Sequence, residues 1–155
     1  MIRSKFRMRL CATFIVLNLL IIWGNSLLPG QISGAISGWV RDLIASLFGG
    51  GAGDEDTGHG LLRKLGHFLE FTCLGVWLTW LFSMVKKPAV LSLLCGFSVA
   101  CVDEFIQCFV PNRGPGVLDV LLDTAGVVFG LTVLLLGNAI NQKRKNNKIM
   151  EETKL

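Results

Sequence analysis

The sequence predicts an all-α membrane protein: a bundle of four transmembrane helices plus a short outer-face amphipathic helix, in a single domain spanning residues 1–155. Three observations predict it. Four apolar runs, at about 10–28, 65–85, 89–110 and 117–136, each approach the roughly 20 residues that a helix needs to cross ~30 Å of hydrocarbon. Only 17% of residues are charged against 52% hydrophobic, with a mean hydropathy of +0.58, so the chain lacks the polar surface of a soluble domain. Lys and Arg gather at alternate ends of the runs, as cytoplasmic flanks do.

The first run, Leu10 to Leu28, follows Arg3, Lys5, Arg7 and Arg9. A basic start before an apolar stretch also fits a cleaved signal peptide. No small-x-small site follows Trp23, however, and removing this span would strand the basic C-terminus on the wrong side. Next, Ile32, Ile36, Trp39, Leu43 and Leu47 recur at spacings of three or four, which predicts an amphipathic helix over 32–48, too short and polar to cross. The glycines of 49–60, with Asp54, Glu55 and Asp56, predict a flexible acidic loop containing a solvated His59.

The second and third runs are separated by Lys86 and Lys87, and the fourth is followed by a basic tail over 137–155 carrying Lys143, Arg144, Lys145, Lys148 and Lys154. Together with the N-terminal four, these are eleven of the fifteen basic residues. Four spans and the charge rule agree on a multi-pass topology in a cell membrane with both termini cytoplasmic. The net charge of +4 then reflects topology and anionic membrane lipid, and no nucleic-acid partner is implied. Cys11, Cys73, Cys95, Cys101 and Cys108 fall within the runs without a CxxC pair, which reads as packing rather than as a disulfide framework or zinc site.

Ionisable residues inside apolar spans are costly and usually functional. With a rise of about 1.5 Å per residue from each cytoplasmic end, Glu70, Asp103, Glu104 and Asp123 lie about 20–23 Å up, and His67, Gln107 and Asp119 about 26–27 Å up. Lys64, Asn112 and Arg113 fall at the rim. Spacings of three or four put Lys64, His67 and Glu70 on one helix face, Asp103 and Gln107 on another, and Asp119 and Asp123 on a third. These residues predict one outward-open polar pocket holding water, shared protons or a cation. His67, Glu70, Asp103 and Glu104 are the candidate acid/base groups. Lys64, Gln107, Asn112, Arg113, Asp119 and Asp123 are the candidate ligand-binding groups.

No residue is assigned as a metal ligand and no cofactor is expected; were an ion held, carboxylates and an amide would favour Mg or Ca. The plain alternative is that the polar groups bond the helices together, through pairs such as Lys64 with Asp119 or Arg113 with Glu104. Ser26 and Ser98 have no evident base for nucleophilic chemistry. Gly126 and Gly130, one small-xxx-small step apart, read as close-packing positions.

At these residues the chain resembles the VanZ-like family of bacterial membrane proteins. The resemblance rests on KLGHFLEF (Lys64 to Phe71), on DEFIQCFVPNRGPGVLDVLLDTAGVVFG (Asp103 to Gly130) and on NSLLP after the first run. Arg63 stands where the family often has an acid, and Asp123 where it often has Asn. The resemblance implies an envelope protein lowering susceptibility to teicoplanin-type glycopeptide antibiotics. Its partner would be an anionic amphiphile, a lipid-linked cell-wall precursor or the lipoglycopeptide itself. Whether it binds or catalyses stays open, with an intramembrane enzyme modifying a lipid-linked envelope substrate as the second reading. An oligomer, which would supply further spans, also stays open.

Overall fold

The computed structural model describes residues 2–48, 55–85, 87–114 and 116–152. Among these the chain is all helical: α1 (Ile2–Leu27), α2 (Gly30–Phe48), α3 (Glu55–Phe82), α4 (Pro88–Gln107) and α5 (Val117–Glu152). Four helices, all but α2, carry stretches long and apolar enough to cross a membrane. Lys86, Lys154 and residues 49–54 of the glycine-rich segment lie outside the described residues.

Proline and glycine set the breaks. α1 stops at Leu27 because Pro29 disfavours helical backbone at the residue before it, and α2 restarts immediately, with the Ile32 and Ser33 amides donating to the Pro29 carbonyl. Pro88 opens α4, where its missing N–H costs nothing. The apolar run continues to Val110, but α4 ends at Gln107 in a turn that carries Pro111 and a left-handed Asn112 with φ of 58°. α3 ends at Phe82, three residues before its run does.

One expectation needs correction. The glycine-rich segment is not all loop, because α3 begins at Glu55 and takes in His59. The basic tail continues α5, which runs on to Glu152. Hydropathy marks where a membrane would end, while Ala, Gln, Lys and Glu beyond that point are good helix formers.

α3 is the hub and touches all four other helices. Its tightest partner is α5, and glycine makes the approach possible. A Cβ on Gly126 would meet the Phe68 carbonyl at 2.6 Å, and one on Gly130 would collide with the Thr72 carbonyl. From the other side Gly75 lies against the Val127 backbone. At one end of the bundle, Arg7 of α1 donates to the Trp80 carbonyl of α3 at 2.6 Å and to the Ser83 hydroxyl, with its guanidinium 5.4 Å from the Trp80 ring centre. At the other end, Asn25 of α1 donates to Glu70 of α3. The two helices are therefore antiparallel.

The burial pattern is that of a protein in lipid. The core is small, formed by Ile22, Phe71, Leu74, Leu78, Ala100 and Val127. Large apolar side chains such as Leu20, Phe105 and Leu121 face outward, while Asp103, Gln107 and Asp123 are buried. α2 follows the same logic: Ser37 is buried, and Ile32, Ile36, Trp39 and Leu43 are exposed. Of the cysteines only Cys11 is buried; Cys73, Cys101 and Cys108 are exposed, which corrects the packing expectation for those three.

Candidate functional site

Three helices bring their polar residues to the bundle end opposite Arg7. His67 of α3, Asp103 of α4 and Asp123 of α5 each offer a ligand atom, and the three atoms lie within 4.8 Å of one another. Asp103 is fully buried; its Oδ2 accepts from the Ser26 hydroxyl at 2.8 Å and from the Gln107 amide at 2.9 Å. His67 Nδ1 is 3.9 Å from the same oxygen, too far for a hydrogen bond. Glu104 accepts the Gly116 amide at 2.8 Å, tying the end of α4 to the start of α5. Lys64 pairs with Asp119 at 3.3 Å at the mouth.

The single pocket expected from the sequence divides in two. One part is a narrow cleft bordered by Lys64, Glu104, Gln107, Asp119 and Asp123, with about 10 Å³ of free space, enough for one water or an ion. The other is a groove of about 220 Å³ between the end of α1, α2 and the start of α3. Leu28, Ile36, Val40 and Leu62 wall it, and Glu70 lies on its polar side. Arg63 and His67 border both cavities. Glu70 therefore leaves the other acids and joins Asn25, which the sequence reading passed over.

Two rim residues take other parts than expected. Arg113 is not paired with Glu104. Its Nε donates to the Leu28 carbonyl at 3.1 Å and its Nη2 to the Asn25 carbonyl at 2.6 Å, which also accepts the Leu28 amide, so the guanidinium ties down the end of α1. Burial lowers its pKa, with the nearby Arg63 charge adding to that and Asp103, Glu104 and Glu70 opposing it. Asn112 is exposed, and its left-handed backbone forms the turn on which Gly30 closes, the Gly30 amide donating to the Pro111 carbonyl at 3.2 Å. Side-chain addition at Gly30 would strike the Asn112 carbonyl.

Asn25 and Ser26 are the site residues that the candidate set lacked. Their signal was the NSLLP stretch, where two polar residues close an apolar run. Ser26 has a carboxylate at hydrogen-bond distance after all, although it is fully buried. Ser98 bonds back to the Leu94 carbonyl of its own helix.

An all-α bundle with four membrane-length helices and buried acids gathered at one end defines a multi-pass membrane protein. The family described as VanZ/LLP1 matches residues 8–138, and the chain belongs to it. No significant match exists among curated proteins or solved structures.

Proposed function

We propose that the protein acts in the bacterial cell envelope, both termini cytoplasmic and the polar end outward, where the groove engages an anionic amphiphile and thereby lowers susceptibility to teicoplanin-type glycopeptides. The observation that carries this reading is the groove itself. Leu28, Ile36, Val40 and Leu62 offer apolar wall to an acyl chain, and Arg63 stands beside them to receive a phosphate or carboxylate. Arg63 takes the role first expected of Lys64 and Arg113, because Lys64 faces Asp119 and Arg113 is bound to carbonyls. The basic flanks lie at the far end, as the charge rule requires of an outward site.

The test is tolerance to a teicoplanin-type antibiotic in a susceptible host expressing the protein. Arg63→Glu replaces attraction by repulsion and should weaken amphiphile binding about tenfold or more, returning tolerance to the level of an empty vector. Val40→Trp should do the same by filling the groove. Membrane abundance should match that of a lipid-facing control, Leu20→Val. Unchanged tolerance in both groove variants would refute the reading.

A second reading, an intramembrane enzyme acting on a lipid-linked envelope substrate, is favoured by one observation: His67 Nδ1 is buried without a hydrogen-bond partner beside Asp103, at the wall shared by groove and cleft. An acid/base pair there could pass a proton to a molecule in the groove. Envelope lipids and precursors compared between wild type and His67→Gln decide it, since an enzyme leaves a species that changes in amount and a binding protein does not.

A further inference from the structure

The polar end holds two buried carboxylates that the groove does not explain. Asp103 and Asp123 are 0% and 2% exposed. Neither has Lys or Arg at ion-pair distance among the described residues, where Lys64 pairs with Asp119 and Arg113 with backbone carbonyls. Ser26 and Gln107 both address Asp103 Oδ2, leaving Oδ1 buried with no partner, and His67 Nδ1 is buried without one as well. Two buried carboxylates this close repel, and an unsatisfied buried oxygen is costly. A divalent cation would remove both penalties at once.

We propose that His67, Asp103 and Asp123 form a binding site for a divalent transition-metal ion, contributed by α3, α4 and α5. One imidazole nitrogen with two carboxylate oxygens suits Mn, Fe or Zn better than the all-oxygen shells of Mg and Ca. Donors about 2.1 Å from a shared ion sit roughly 3 Å apart when adjacent, so the present 4.8 Å envelope closes with side-chain shifts on the order of 1 Å. Ser26 and Gln107 act as outer supports that orient Asp103 by its other oxygen, the arrangement metal-ligating carboxylates commonly have. Of the three, His67 and Asp123 also border the cleft, which has room for a water to complete the coordination. The site stands independently of what fills the groove.

The test uses the full chain in lipid nanodiscs, stripped with EDTA and titrated with Mn²⁺. The expected result is about one Mn²⁺ per chain, with nitrogen coupling from a single imidazole in pulsed electron paramagnetic resonance. Asp123→Asn should weaken binding by about tenfold or more, His67→Gln should remove the nitrogen coupling, and Leu20→Val, on the lipid-facing side of α1, should change neither. Mn²⁺ should also raise the melting temperature of the wild type, because an ion that binds only the folded state stabilises it; this and the nitrogen signal need no variant. Absence of stoichiometric binding, binding without nitrogen coupling, or affinity unaffected by Asp123→Asn would overturn the proposal.

Discussion

Ser26 and Ser92 are both fully buried serines, yet their hydroxyls do different things. Ser26 donates across helices to Asp103, whereas Ser92 donates to the Pro88 carbonyl of its own helix. Removing the first leaves a buried carboxylate short of a donor, a loss of about 1.5–3 kcal/mol for a bond to a charged group. Ser26→Ala should therefore lower thermal stability in nanodiscs clearly, and Ser92→Ala by little. Equal effects would mean that the Ser26 bond contributes nothing special. The gathering of the acids was legible in the sequence, because Asp103, Glu104, Asp119 and Asp123 interrupt apolar runs, where an ionisable side chain is costly without partners. Their partners were not. Spacing reports which residues share a helix face, but not whether Arg113 turns towards Glu104 or towards the carbonyls at the end of α1.

Hydropathy located the membrane-crossing helices but not their ends. α4 stops before its apolar run does because Pro111 and a left-handed Asn112 turn the chain, and α5 outlasts its run because helix propensity is indifferent to polarity. Packing between elements was partly legible: Gly126 and Gly130 advertised a close approach, but not that α3 would be the partner. The two faces of α5 give a direct check. A methyl at Gly130 would collide with the Thr72 backbone carbonyl, which cannot swing aside, while Gly137 has open space around it. Gly130→Ala should cost about 1–3 kcal/mol by overpacking. Gly137→Ala should be neutral or stabilise by up to about 1 kcal/mol through helix propensity. Chemical denaturation of both variants in detergent checks the contrast, and a tolerant Gly130 would contradict the α3–α5 contact.

Across the whole molecule the chemistry is polarised along the bundle axis. Arg7 anchors one end against Trp80 and Ser83, and the acids, His67 and the groove occupy the other. This polarity was the most legible feature of all, since basic flanks and intramembrane acids sit at opposite ends of the second, third and fourth spans. What the sequence hid was the division of the polar end into a groove of about 220 Å³ and a cleft of about 10 Å³. That division depends on α2 packing beside α3, with Arg63 and His67 in the shared wall.

The outward direction of the polar end is the claim on which the envelope role depends, and cysteine accessibility measures it. In a chain with its five native cysteines replaced by serine, Asp119→Cys at the cleft mouth, where the side chain is 26% exposed, is compared with Asn146→Cys on the exposed last part of α5. A membrane-impermeant maleimide added to intact cells should label Asp119→Cys and leave Asn146→Cys unlabelled until the membrane is permeabilised. Labelling in the reverse order would place the site on the cytoplasmic face and contradict the proposed role.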